Sequence, residues 1–167
     1  RKLNVSPRGA TDLPAEIKSS PILATDLNMV VIATVAGECY LLNLGSGAQE
    51  SCIELDSKVT ASGALSGDRV AIGTTSGRVS CIDLRKRQIL WEAQHGAPRS
   101  YTSFTLSPEN DFIATSLDGN VICRDSLTGK FLWESSQVMG LPDHEAPMDI
   151  TPVASVSGRM YCASYRG

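Results

Sequence analysis

The sequence predicts an all-β fold of four-stranded antiparallel units set side by side, and three observations predict it. A turn glycine recurs along the 167 residues at Gly37, Gly77, Gly119 and Gly167, at intervals of 40, 42 and 48. A short apolar run ends a few residues before the first three glycines (30–34, 70–74 and 112–116), and a fourth such run, 160–164, leads to Gly167. The residues beyond each glycine repeat as well. Gly119 is followed by Cys123, Asp125, Gly129 and Trp133, and Gly77 at the same offsets by Cys81, Asp83, Arg87 and Trp91. Gly37 gives Leu41, Asn43, Gly47 and Ser51, a weaker copy. Units near 40 residues with several short strands apiece read as propeller blades. The expected architecture is a partial β-propeller, with blades over about 18–57, 58–98 and 99–148 and an incomplete one over 149–167.

Residues 1–17 are polar, carry Pro7 and Pro14, and show no period. They read as a lead-in or the end of a preceding blade. Asn4-Val5-Ser6 fits a glycosylation triplet, but Pro7 follows it directly, and no use is expected of it. The first blade opens at 18–23 and places its later strands at 30–34, 38–44 and 49–55. The second runs from 59 to 94. Its last turn carries Arg85-Lys86-Arg87 where the other copies have Gly-Ser-Gly and Leu-Thr-Gly. With no second basic cluster and no aromatic platform, these cations read as a solvated turn. The net charge of −3 also argues against a nucleic-acid partner.

The third blade, 101–137, shows the pattern most fully. Asp118-Gly119 suits a tight turn, because glycine tolerates positive φ and Asp bonds its own backbone. Val121 and Cys123 alternate with Asn120 and Arg124, as a half-buried strand requires. Asp125 opens a turn that closes at Thr128-Gly129-Lys130, and Trp133 lies in the strand beyond.

The connection 135–149 is the longest in the chain. It sets apolar Met139 and Leu141 beside Asp143, His144 and Glu145. Apolar side chains with a charged rim on a loop suit a protein contact, so these five residues form a candidate partner loop. One histidine between two acids lacks the second histidine of a metal site, and no metal is expected there. Residues 150–154 match 19–23 as the first strand of a new blade, which reaches only its central turn at Gly167. A strand without its neighbour recruits one, and the chain reads as a segment completed by further blades or by another chain.

Composition is that of a globular core-forming chain, 42% hydrophobic and 20% charged. The longest apolar run, 29–35, is too short to span a membrane. The five cysteines are odd in number and have no C-x-x-C spacing, so they read as small buried apolar residues and not as a disulfide or zinc framework. Free thiols favour a reducing compartment such as the cytoplasm. No nucleophile–base pair, carboxylate pair or phosphate loop stands out. No catalytic, cofactor-binding or metal residue is therefore assigned.

The run D-x-x-T-G-K-x-x-W from Asp125 to Trp133 resembles the tryptophan-docking motif of quinoprotein-type (PQQ-like) β-propeller repeats, and Asp83 and Trp91 preserve its ends. The resemblance covers most of 18–167. It implies that each Trp packs between adjacent blades over a glycine-containing turn. Gly37, Gly77, Asp83, Trp91, Gly119, Asp125, Thr128, Gly129, Trp133 and Gly167 are then residues that hold the fold. Three kinds of relative are implied. Quinoprotein dehydrogenases hold pyrroloquinoline quinone and calcium, but their vicinal cysteine pair is absent here. The repeats at 149–154 and 158–167 are similar to those of the BamB family of envelope assembly lipoproteins, which implies a periplasmic or outer-membrane setting. Accessory propellers of adenylate-forming enzymes of the β-alanine-activating type are cytosolic. The expected function is a non-catalytic scaffold without cofactor, whose partner is a protein or the remaining blades. The alternative is a fragment of a quinone-dependent dehydrogenase.

Overall fold

The computed structural model describes residues 11–94, 104–115, 120–135 and 151–162. Fourteen strands are seen among them. The first four are β1 (Ile22–Ala24), β2 (Met29–Ala33), β3 (Glu38–Asn43) and β4 (Gln49–Glu54). The next four are β5 (Ala64–Ser66), β6 (Arg69–Gly73), β7 (Arg78–Asp83) and β8 (Gln88–Gln94). Then come β9 (Phe104–Leu106), β10 (Phe112–Thr115), β11 (Val121–Arg124) and β12 (Phe131–Ser135), and last β13 (Val153–Ala154) and β14 (Met160–Tyr161). They form three four-stranded sheets in sequence order and one two-stranded sheet. All pairings are antiparallel. The chain is all-β, apart from a 3-10 turn at Thr25–Leu27. No helix among the described residues is long and apolar enough to cross a membrane.

The burial pattern explains why these segments became strands. β2 buries Met29, Val31 and Ala33 in alternation. The third strand is buried on both faces in Cys39–Leu42 and Val79–Ile82, and in the second blade a neighbouring sheet covers each side. The core therefore lies in the seams between sheets. At the first seam Val31 and Leu41 meet Val59, Val70, Ile72, Ile82 and Leu84, all 1% exposed or less. Each such side chain stabilises the stack by about 1.5–3 kcal/mol. The second seam packs Ala71 and Cys81 against Phe104, Phe112 and Ala114. The third is smaller, with Ile113, Val121 and Cys123 against Ala154, Met160 and Cys162.

Each complete blade carries a bulge at the same repeat offset, between Leu41 and Leu42, Cys81 and Ile82, and Cys123 and Arg124. A bulge sets two successive residues of one strand against one of its partner. Leu90 and Trp91 accordingly pack against one and the same core.

Gly37 and Gly77 close equivalent turns at φ +84°, with N–H groups donating to Thr34 O (3.1 Å) and Thr74 O (3.0 Å). A Cβ on Gly37 would lie 2.9 Å from the Ser57 carbonyl oxygen. Gly119, Gly167 and the loop residues Met139, Leu141, Asp143, His144 and Glu145 lie outside the described residues.

All five cysteines are free. Burial pushes the Cys39, Cys81 and Cys123 thiols up to about 12, so they stay neutral and act as packing atoms. Cys52 differs, being exposed on β4.

Candidate functional site

The unit repeated in each complete blade is a polar turn between the third and fourth strands. Asp125 Oδ1 accepts from Leu127 N (3.1 Å), Thr128 N (2.6 Å) and Thr128 Oγ1 (2.6 Å). The Thr128 hydroxyl, with its backbone N–H, holds the Asp125 carboxyl below its ordinary 3.8. Asn43 Oδ1 plays the same part in the first blade, accepting from Gly45 N, Ser46 N and Ser46 Oγ at 3.0–3.1 Å. In the second blade Asp83 Oδ1 accepts from Lys86 N at 2.9 Å. The turn needs only an oxygen acceptor on a short side chain, which is why the weaker first copy folds alike. Each turn then enters the left-handed region at one position: Gly47 (φ +73°), Arg87 (φ +56°) and Gly129 (φ +70°).

The group that lies on that position differs from seam to seam. At the second, the Trp91 indole lies flat on Gly129, and a Cβ there would meet Cδ2 at 2.5 Å. Trp91 Nε1 donates to Ser126 O (3.3 Å), and the ring sits 6.3 Å from that of Phe112. Arg124 spans the same seam, donating to Gly129 O (3.1 Å) and Gln94 O (2.5 Å). At the first seam Ser51 holds the place of the indole: it pairs with Leu41 as Trp91 pairs with Cys81. The contact is ionic instead, from Arg87 Nη2 to Glu50 Oε2 at 2.6 Å. Arg85 pairs with Asp68 (3.0 Å) and Lys86 with Asp83 (3.6 Å), so every cation of the basic turn has a carboxylate. Over the first blade's own turn, Thr11 Oγ1 donates to Gly47 O at 2.8 Å.

Trp133, expected to pack between blades as well, is 38% exposed. Its neighbours on β12, Phe131 and Leu132, are 49% and 43% exposed. β13 and β14 supply Ala154 and Met160 to the third core, but no polar turn covers this indole among the described residues. Among the described residues Trp91 is the tryptophan seen docked on a turn, although Trp133 follows the fuller sequence motif.

Sequence reasoning missed a groove at the first seam. A cavity of about 250 Å³ is lined by Leu27, Met29, Glu50, Leu84, Arg85 and Arg87. A second, of about 320 Å³, shares Leu27 and Arg85 and extends to Asp26, Gly67 and Asp68. The signal that could have found it is the pair Ser51 and Arg87 standing where the next seam has tryptophan and glycine. Among the described residues no group of three or more His, Cys, Asp or Glu could hold a metal ion.

Comparison with known proteins places this architecture. The family described as outer membrane protein assembly factor BamB matches over residues 5–135. BamB from Moraxella catarrhalis is similar in structure, with TM-score 0.77 and 25% identity, over 92% of this chain and 48% of that one. The C-terminal WD40 domain of Sif2 is similar in fold alone, with TM-score 0.76 and 14% identity, over 93% of this chain and 45% of that one. The chain thus spans about half the length of these solved relatives. None of the curated proteins matches it by sequence. With its stacked four-stranded sheets and its match over 5–135, the chain belongs to the outer membrane protein assembly factor BamB family.

Proposed function

We propose that this chain is a non-catalytic scaffold, a stack of rigid blades that holds a protein partner and works as part of a longer propeller. The observation that carries this reading is the stack of four-stranded sheets matching the assembly-factor family over 5–135, with Phe131 half exposed on the outer strand β12. An exposed aromatic ring on an outer strand suits a protein contact. The repeat residues support the same reading, since Asp125, Thr128, Gly129 and Trp91 are engaged in turn and seam contacts and leave no reactive group. Thr11 lies over Gly47, and Val35 N donates to Glu16 O (2.9 Å) as Thr75 N does to Lys58 O (2.8 Å). Residues 11–16 are accordingly the end of a preceding blade. The finer role, assistance to outer-membrane protein assembly, follows from the family's description.

The test is made on the full-length protein. Phe131→Glu places a charge on β12 at a residue outside every described core cluster. Binding to outer-membrane assembly components is expected to weaken at least tenfold while the melting temperature holds. Undiminished binding, or quinone-dependent alcohol oxidation on addition of pyrroloquinoline quinone and calcium, overturns the reading.

A further inference from the structure

One turn is built twice from the same residue types. In the second blade Thr74, Ser76 and Arg78 surround Gly77, between β6 and β7, and in the last sheet Ser155, Ser157 and Arg159 surround Gly158, between β13 and β14. The backbone bonds are the same in both. Thr74 N donates to Arg78 O (2.9 Å) and Gly77 N to Thr74 O (3.0 Å), while Ser155 N donates to Arg159 O (2.7 Å) and Gly158 N to Ser155 O (3.0 Å). Both glycines have positive φ, +84° and +78°. The two hydroxyl oxygens lie 2.9 Å apart in each turn. In the second blade the turn grips a carboxylate. Thr74 Oγ1 donates to Asp56 Oδ1 (2.7 Å), Ser76 Oγ donates to Asp56 Oδ2, and Arg78 Nε lies 3.7 Å from Asp56 Oδ2. In the last sheet no carboxylate of the described residues reaches Ser155, Ser157 or Arg159. Ser157 and Arg159 are exposed, and Val156 between the serines is fully so. The first blade gives the contrast. There Ala36 and Glu38 follow Thr34, so the turn has one hydroxyl and no cation, and the Thr34 hydroxyl meets no carboxylate among the described residues.

We propose that Ser155, Ser157 and Arg159 form a binding site for an aspartate side chain of a partner protein. Two hydroxyl donors set side by side match the two oxygens of one carboxylate, and the guanidinium adds charge to those hydrogen bonds. The chain itself identifies the ligand, because the equivalent turn of the second blade holds Asp56 with the same three kinds of side chain. Asp56 lies in the connection that leaves β4 after Glu54, and the partner's aspartate likewise comes from a segment lying across the end of the sheet. The approach is open, since a Cβ on Gly158 would meet nothing within 4 Å. An exposed contact of this kind is weak by itself. Its part is to fix where the partner sits, while apolar contacts elsewhere hold it.

The inference rests on the scaffold reading for the protein that supplies the carboxylate, but its test does not. Amide NMR titrations of the full-length protein use N-acetyl-Gly-Asp-Gly-amide and N-acetyl-Gly-Asn-Gly-amide as probes. The aspartate probe is expected to shift the Ser157, Gly158 and Arg159 resonances saturably, and to bind at least fivefold more tightly than the asparagine probe. The double variant Ser157→Ala/Arg159→Glu gives the turn the residues of the first blade, where Ala36 and Glu38 keep the same backbone bonds. Its binding of the aspartate probe is expected to fall at least tenfold. Arg159→Ala, which keeps both hydroxyls, is expected to weaken it at least threefold and serves if the double variant misfolds. Failure of the parent to bind the aspartate probe at millimolar concentration overturns the site and leaves the scaffold reading untouched. Equal binding of the two probes, shifts confined to other residues, or unchanged binding by the variants overturns it too.

Discussion

Glycine 129 and tryptophan 91 form one contact made by two blades, and neither residue can change alone without cost. A methyl group on Gly129 would sit 2.5 Å from the indole and would also demand positive φ of an alanine. Gly129→Ala is expected to cost about 1–3 kcal/mol. Trp91→Ala removes a half-buried ring and is expected to cost about 3 kcal/mol. Once the ring is gone the clash is gone, so the double variant is expected to be more stable than the sum of the two losses. Urea midpoints of the four proteins measure this, and strict additivity would show that the two residues do not touch. Trp133→Ala, at an exposed ring, is expected to cost about 1 kcal/mol or less. Both tryptophans were legible from the sequence as repeat positions. Which one is docked was not, because that depends on the turn lying opposite, some 35 residues further along the chain from Trp91.

At the scale of the element, the turn between third and fourth strands carries a pH dependence whose sign follows from Asp125. Its carboxyl is held below the ordinary value by the Thr128 hydroxyl and N–H. A depressed carboxyl contributes stability that is present above its unfolded pKa and is lost as pH falls through the folded value. Thr128→Val removes the hydroxyl donor. The gap in urea midpoint between parent and variant is therefore expected near pH 6 and should close toward pH 2. A gap independent of pH would mean that Thr128 acts by packing. The Arg87–Glu50 pair is partly exposed, and Arg87→Ala is expected to cost about 0.5 kcal/mol at low salt and less at high salt. Strands were legible where alternation was clean: 30–34 and 49–55 were expected, and Met29–Ala33 and Gln49–Glu54 are found. The bulges were not, since the extra residue in β4, β8 or β12 leaves no mark in hydropathy. In the first blade Glu50, the residue skipped by the shifted register, reaches Arg87 of the second blade.

In the molecule as a whole, the described residues share fewer buried side chains at each successive seam. The first buries Val31, Leu41, Val59, Val70, Ile72, Ile82 and Leu84 almost completely, whereas the third offers Ala154, Met160 and Cys162, none of them fully buried. In a stack where each unit leans on its neighbours, opening is easiest where the shared core is smallest. Native-state hydrogen exchange is expected to be slowest at Val31, Leu41 and Ile72 and at least a hundredfold faster at Ala154 and Met160. Uniform protection across the sheets would show one cooperative unit instead. Blade repetition was legible because it is written in spacing, while this gradient depends on how many side chains each seam shares. The two indoles make the gradient visible in light. Trp91, wedged against Gly129 with its N–H on the Ser126 carbonyl, should emit toward the blue, and half-open Trp133 toward the red. Loosening of the second seam alone would move the blue component while the red one stays. One cuvette can then distinguish two blades parting from a chain unfolding.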